Sequence, residues 1–168
     1  MTSPPAMRGE TTPGSRDDQP QFLEVEIGGQ AFGIPVLLIR EVLGPRKPSL
    51  MPLAPPSVGG ILNLRGRIVT AIDSRARLGL PSAPIDQAAG NVIVTHGGEL
   101  YSLTVDAVGA VLTGERTQLE PNPPTHDPRW REVADGVYRL DGRLMILLDV
   151  DRFLAAASSG EPHRRAAA

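Results

Sequence analysis

Three aspartates are the residues of this chain whose type could serve catalysis. Asp73, Asp106 and Asp149 offer carboxylates, which can act as general acids or bases or hold a metal ion. However, Asp73 and Asp149 each follow an apolar run and precede residues with helical spacing, 74–78 and 150–157, where an aspartate caps a helix N-terminus. No histidine stands at metal-ligand spacing with them, and no glycine-rich phosphate loop or nucleophile elbow occurs. We therefore predict no enzyme, no cofactor and no metal, and a hydrolase that uses the aspartates is the weaker alternative.

The best-supported candidates for partner-binding residues are Glu41 and Arg65. Each is a charged residue inside an apolar stretch. Arg65 also precedes Gly66 in a tight turn that asparagine or aspartate would suit better, so some requirement on the side chain holds an arginine there. Two interpretations remain open, a structural ion pair and a direct contact with another protein, and both can hold together. An exposed pair contributes about 0 to 1 kcal/mol, whereas breaking a buried pair costs roughly 3 to 5 kcal/mol.

An internal repeat separates residues that serve the fold from residues that serve function. Residues 28–43 align with 97–112, and residues 60–73 align with 136–149. Identical residues in the two copies include these glycine pairs: Gly28 and Gly97, Gly29 and Gly98, Gly60 and Gly136, Gly66 and Gly142. Residues shared by both copies report the fold, and residues present in one copy are candidates for function. Glu41 and Arg65 pass this test because the second copy has Ala110 and Asp141 in their places.

The residues around these sites predict short strands joined by glycine turns. Apolar and polar residues alternate before Gly28-Gly29, a pair that suits a two-residue hairpin, and the second copy repeats the pattern. Asp141-Gly142 is a favoured type I′ pair for a further hairpin. Counting gives about five strands in each half, and strands of this length suggest small barrels that hide their sheet edges. Halves of about sixty residues are marginal alone, so we expect them to pack on each other.

The composition of the chain argues against nucleic acid and membranes as binding partners. The chain of 168 residues has a net charge of −2, and 4% of its residues are aromatic, so it offers neither the positive field nor the stacking platforms that nucleic acid needs. It contains no cysteine, which excludes disulfides and thiolate chemistry. The longest apolar stretch, 144–148, is too short for a bilayer span, and the first twenty residues hold no signal-peptide core, so we predict a cytoplasmic protein without membrane insertion. A small-molecule-binding barrel is the less favoured rival.

The motifs GxxFGIPxxxIxEV (29–42), VGGILNLRGRIVxxID (58–73) and LGL (78–80) resemble the CheW family of chemotaxis coupling proteins and the CheW-like domains of chemotaxis histidine kinases. The likeness covers residues 22 to about 155. It implies a mainly β fold of two five-stranded SH3-like barrel subdomains packed together, with short helices at the linker and the C-terminus. It also implies a non-enzymatic adaptor that couples the cytoplasmic signalling tip of a chemoreceptor to the regulatory domain of a histidine kinase. Thr70 and Ser74 depart from the family pattern, which usually has proline and leucine there.

Composition and the resemblance together set the domain limits. Polar, Pro- or Ala-rich ends without periodicity predict a disordered tail at 1–20 and a flexible tail at 157–168, and the resemblance implies a CheW-like domain at 21–156. The two barrel subdomains, about 21–80 and 90–150, are expected to exchange terminal elements and to be joined by a linker at 81–89. The resemblance implies that the signalling system of this protein controls chemotaxis. The alternative is a chemosensory scaffold that controls pili, development or a second messenger.

The predicted partner-binding residues lie in two segments. They are Ile39, Glu41, Gly60, Asn63, Leu64, Arg65 and Gly66. Because Gly60 and Gly66 occur in both repeats, we expect them to hold backbone conformations that reject a Cβ. Asn63 is expected to make a polar contact or to stabilise the turn. A further set of apolar residues is predicted to be barrel core, or else to line the groove between the subdomains: Val36, Ile39, Val105 and Val108.

Overall fold

The computed structural model describes residues 19–81, 90–114, 118–123 and 127–158, and in the last range the side chains up to residue 155. The first repeat contains five strands, a 3₁₀ turn and a helix: β1 Gln21–Ile27, β2 Gln30–Pro35, the turn Val36–Leu38, β3 Ile39–Leu43, β4 Val58–Leu64, β5 Arg67–Ile72 and α1 Ser74–Arg77. The second contains β6 Gly90–His96, β7 Glu99–Val105, β8 Ala107–Thr113, β9 Leu119–Glu120, α2 Pro128–Arg131, β10 Ala134–Leu140, β11 Arg143–Leu148 and α3 Val150–Ser158. Residues 1–18 of the predicted tail at 1–20, residues 159–168 of the predicted tail at 157–168 and residues 82–89 of the predicted linker lie outside the described residues.

The strands form two sheets, which confirms the predicted mainly β fold with short helices. One sheet has six strands in the order β8-β1-β2-β11-β10-β9, and the other has five in the order β3-β6-β7-β5-β4. The sixth strand of the first sheet is the two-residue β9. Neighbouring strands are antiparallel except for the pairs β2–β11 and β5–β7, which are parallel.

Each sheet is built from both repeats. The hairpin β6–β7 of the second repeat pairs with β3 and β5 of the first, and the hairpin β1–β2 of the first pairs with β8 and β11 of the second. Replacing every strand of β3-β6-β7-β5-β4 by its repeat counterpart gives β8-β1-β2-β11-β10, which is the order in the other sheet. Strands of the two repeats therefore pair with each other, while the subdomain limits of about 21–80 and 90–150 and the exchange of terminal elements between subdomains stay predictions.

In the part of the chain that the structure describes, apolar side chains pack in three clusters. The largest joins residues of both sheets with helix α3, and it includes Phe32, Leu103 and Phe153. Two smaller clusters belong to single sheets. The six-stranded sheet contributes Phe22, Tyr138, Met145 and Leu147, and the five-stranded sheet contributes Leu62, Val69, Ala71 and Ile93. Each sheet therefore has its own apolar interior, and a shared core holds the two together.

Turns and caps follow the local sequence with one exception. Gly28 and Gly29 have φ of 60° and 80°, as the predicted hairpin turn requires. Asp73 accepts the N–H of Ala76, so its predicted capping role is confirmed. The predicted type I′ turn at Asp141-Gly142 is wrong, because of these two residues only Gly142, at 75°, has a positive φ. A positive φ at the second position alone is the pattern of a type II turn, which needs a glycine only there.

A buried serine hydroxyl gives a prediction about stability. Ser74 is fully buried, and its Oγ has no hydrogen-bond partner among the described residues, while Val150 occupies the equivalent place in the second repeat. An unpaired buried hydroxyl costs roughly 1 to 3 kcal/mol, so Ser74→Ala is expected to raise the free energy of unfolding by about 1 kcal/mol in urea denaturation. Ser102 is the control, because its buried hydroxyl donates to Asn91 Oδ1 at 3.1 Å. Ser102→Ala should lower stability, and an equal loss in Ser74→Ala would contradict the prediction.

None of the helices in the described part of the chain has the length and apolar character needed to span a bilayer.

Candidate functional site

The turn between β4 and β5 holds an arginine in a backbone conformation that arginine disfavours. Arg65 has a φ of 50° and Gly66 a φ of 82°, which are the values of a type I′ turn. A residue with a Cβ pays roughly 1 to 2 kcal/mol in this left-handed region. Asparagine, aspartate or glycine would fit better. The prediction that a side-chain requirement keeps arginine at this turn gains support from the strain.

The side chains of Arg65 and Glu41 form an ion pair. Arg65 Nη2 lies 2.9 Å from Glu41 Oε2, and the two side chains are 80% and 27% exposed. Glu41 belongs to β3 and Arg65 joins β4 to β5, so the pair links the strands at the two outer ends of the five-stranded sheet. An exposed pair contributes about 0 to 1 kcal/mol. Stability alone therefore does not explain the arginine, and most of its guanidinium faces solvent.

Asn63 and Gly66 shape the same turn. The backbone N–H of Gly66 donates to Asn63 Oδ1 at 3.0 Å, so Asn63 makes the turn-stabilising bond that was one of its two predicted roles. A Cβ on Gly66 would meet nothing within 4 Å. Gly66 thus needs glycine for its positive φ and not for space.

Gly60 lies further back on β4 and permits a close approach of backbone. Its φ is 136°, and a Cβ built there would overlap the carbonyl oxygen of Ser49. Ser49 and Ile61 exchange backbone hydrogen bonds of 2.9 and 2.8 Å, which fix the loop before β4 against that strand. Gly60 is therefore the position where the loop docks on the sheet.

Two predicted apolar site residues support the surface from beneath. Ile39 is half-buried and packs against the shared core, and Leu64 is half-buried against the interior of the five-stranded sheet. Among the predicted core residues, Val105 is buried as expected. The core prediction is wrong for Val108, which is 40% exposed because β8 lies at the edge of its sheet, and Val36 is only half-buried in its 3₁₀ turn.

The structure therefore brings Glu41, Asn63, Arg65 and Gly66 together at one turn, with Leu64 below them. Sequence reasoning missed several exposed apolar residues: Leu37, Leu50, Leu53, Ile68 and Val111. Leu50 and Leu53 lie in the proline-rich loop between β3 and β4. The signal that could have marked these leucines as exposed was the run of prolines around them, Pro48, Pro52 and Pro55, because loops lie on the surface.

The three aspartates have separate structural partners. Asp106 accepts the N–H of Gly28 at 2.6 Å and the Nε–H of Arg75 at 3.0 Å, and this bond to Asp106 raises the pKa of the Arg75 guanidinium. Asp73 caps α1 and Asp149 caps α3. Within the described residues, no group of three or more histidines, aspartates or glutamates could hold a metal ion. The geometry gives these carboxylates no common reaction centre.

Asp149 gives a prediction about pH. Burial raises the pKa of its carboxyl, but the hydrogen bonds and charge of Arg152 outweigh burial and bring the pKa below its usual value. Because the folded value is the lower one, the stabilisation is present above the unfolded value of about 3.9 and is lost as the pH falls towards the folded value. Asp149→Ala should cost about 1 kcal/mol in urea melts at neutral pH, and this deficit should shrink in acid. A constant deficit in acid would contradict the prediction.

The chain is similar to known proteins across nearly all its described residues. A sequence model of the CheW-like domain family matches residues 21–158. The chain is 30% identical over 131 residues to the chemotaxis protein CheW of Rhizobium meliloti (strain 1021), covering 78% of this chain and 84% of the relative. It is 30% identical over 141 residues to the probable chemotaxis protein CheW of Rhizobium etli, covering 83% and 90%.

A solved structure has the same fold. The scaffolding protein TtCheW from Thermoanaerobacter tengcongensis superposes with a TM-score of 0.74, at 21% sequence identity, over 94% of this chain and 98% of that chain. At this identity the likeness shows a common fold.

Proposed function

Since this chain belongs to the CheW-like domain family, we propose that it is a chemotaxis adaptor that holds a chemoreceptor signalling tip beside the regulatory domain of a histidine kinase. The family comprises scaffold and adaptor proteins, so the chain is a scaffold and not an enzyme. Its mechanism is geometric. Apolar contacts supply affinity, charged contacts set the register, and signals pass as changes in the relative orientation of the bound partners.

The observation that carries the proposal is the strained and exposed Arg65. The left-handed backbone at Arg65 destabilises the fold by roughly 1 to 2 kcal/mol, and the exposed ion pair with Glu41 contributes only about 0 to 1 kcal/mol, which does not offset that strain. An interaction outside the chain would supply the missing gain. Both residues are absent from the second repeat, which keeps the fold without them. We assign partner binding to this turn and to its neighbours Ile39, Gly60 and Leu64.

The proposal places the protein in the cytoplasm, where receptor tips and kinases meet. It has two subdomains, at about 21–80 and 90–150, which exchange strands across a shared core. Two subdomains joined in this way keep two docking surfaces at a fixed distance and angle. That rigidity is what a coupling protein needs.

Reconstitution tests the proposal. The full chain is mixed with a soluble receptor signalling fragment and with the kinase regulatory domain, first singly and then together, and the complexes are separated by size-exclusion chromatography. We expect the chain to co-elute with each partner alone and to increase the fraction of kinase domain that travels with the receptor fragment. Failure to bind either partner would refute the adaptor function. Binding of both partners only in competition would refute the bridging mechanism.

A further inference from the structure

The loop between β3 and β4, residues 44–57, presents apolar side chains to solvent. Leu50 is 89% exposed, Leu53 is fully exposed and Met51 is partly exposed. Single exposed apolar residues are ordinary on protein surfaces, but three large ones within four residues form a patch. None of them belongs to the apolar clusters that hold the fold together. The patch therefore has no role in the core.

Leu53 is held in that patch against its backbone preference. The N–H of Ala54 donates to the carbonyl oxygen of Met51, and Pro52 precedes Leu53, whose φ is 61°. Proline followed by a residue with positive φ is the pattern of a type II turn, in which glycine or asparagine is preferred at the second central position. A leucine there carries strain without burying any surface. Strain at an exposed residue points to function.

The loop is stiff enough to present the patch in one shape. It contains five prolines, and the hydrogen bonds between Ser49 and Ile61 fix its middle beside Gly60. Prolines and backbone bonds reduce the entropy that a flexible loop would lose on binding. The patch is thus preorganised for a partner.

Charge indicates the chemistry of that partner. Residues 42–72 contain no aspartate or glutamate, although the whole chain has a net charge of −2. The same segment carries four exposed cations: Arg46, Lys47, Arg65 and Arg67. Within the described part of the chain, Arg46 and Lys47 form no ion pair. A positive surface beside an apolar tip complements a segment that combines acidic and apolar side chains.

We propose that residues 46–53 form a second docking surface, distinct from the turn at Arg65, which binds an acidic amphipathic segment of a partner protein. Leu50 and Leu53 enter an apolar strip on the partner, and Arg46 and Lys47 meet its carboxylates. An anionic membrane is the other surface that attracts leucines and cations together. Two cations beside a small apolar tip bind a membrane weakly, at about 1 kcal/mol per charge, whereas a fixed loop gains from the matching shape of a protein.

The test uses the full-length chain labelled with ¹⁵N and a synthetic helical peptide with glutamate and leucine on one face. We expect amide shifts at residues 46–53 on titration and an affinity that falls as salt rises. Leu53→Gly relieves the strain and removes the side chain, so it should keep or raise thermal stability while weakening peptide binding about tenfold or more. Replacing Arg46 and Lys47 by alanine should weaken binding and flatten its salt dependence.

Two controls separate the alternatives. A peptide with glutamine in place of glutamate should bind more weakly, and vesicles of phosphatidylcholine with phosphatidylglycerol should leave the loop amides unchanged. No shifts at residues 46–53, or equal peptide binding by Leu53→Gly, would overturn the proposal. Vesicle binding without peptide binding would assign the loop to membranes and overturn it. Concentration-dependent shifts of the same amides without peptide would assign the loop to self-association, with the same consequence.

Discussion

Gly60→Ala is expected to lower the free energy of unfolding by roughly 2 to 4 kcal/mol. The new Cβ would overlap the carbonyl oxygen of Ser49, and alanine disfavours the φ of 136°. The chain has two ways to respond, a shift of β4 or release of the loop, and both break the hydrogen bonds between Ser49 and Ile61. Urea denaturation followed by circular dichroism measures the loss. We expect reduced partner binding as well, because the loop and the turn at Arg65 share strand β4.

Gly66→Ala is the matched control for this prediction. Gly66 also has a positive φ, of 82°, but a Cβ there meets nothing within 4 Å. Its substitution should cost only the backbone preference, about 1 kcal/mol. The difference between the two variants therefore measures the close approach of the loop. Equal losses would mean that Ser49 moves aside freely, and the proposed docking position of the loop would be wrong.

Arg65→Glu is expected to weaken capture of at least one partner more than about tenfold while changing the free energy of unfolding by less than about 1 kcal/mol. The substitution replaces the exposed guanidinium by a second carboxylate beside Glu41, so any contact with an acidic partner group becomes repulsive. Size-exclusion reconstitution with the receptor fragment and the kinase domain measures the capture, and thermal melts report folding. Unchanged capture of both partners by the folded variant would remove Arg65 from the binding site.

Two further variants separate contact from structure. The double variant Glu41→Arg with Arg65→Glu restores an ion pair of reversed direction. Partner capture should stay weak if Arg65 touches the partner, and it should recover if the pair only holds the sheet edges together. Arg131→Glu makes the same charge change at an exposed residue of helix α2 in the second repeat, and it should leave capture intact. Loss of capture in Arg131→Glu would show that net charge, and not position 65, governs binding.

Local features of the fold could be predicted from the sequence because each depends on residues a few positions apart. The hairpin at Gly28-Gly29 and the cap at Asp73 need only turn chemistry and the start of an apolar pattern. The repeat extended these predictions to the second half. The same locality explains the error at Asp141-Gly142, because a favoured dipeptide states a preference among turn types and does not fix one.

The pairing of strands that lie far apart in the sequence could not be predicted from local residue patterns. Alternation shows which side chains of β8 share a face, but it does not show that β8 ends its sheet, and so the exposure of Val108 was missed. The ion pair of Glu41 and Arg65 was foreseen as an alternative, because each is a charged residue inside an apolar stretch and the two charges are opposite. Its exposure depends on where the edge strands of the sheet come to lie. The strain at Leu53 comes from its positive φ, and the sequence of the proline-rich loop does not predict a positive φ for a leucine.

The interleaving of β1–β2 with β8 and β11, and of β6–β7 with β3 and β5, has a consequence for ancestry. One repeat alone would leave each hairpin without the neighbours that the other repeat supplies, so it would not fold as a monomer. Two identical copies could supply them to each other as a domain-swapped homodimer. The present chain has the strand arrangement that such a dimer would have, with the two copies joined in one polypeptide.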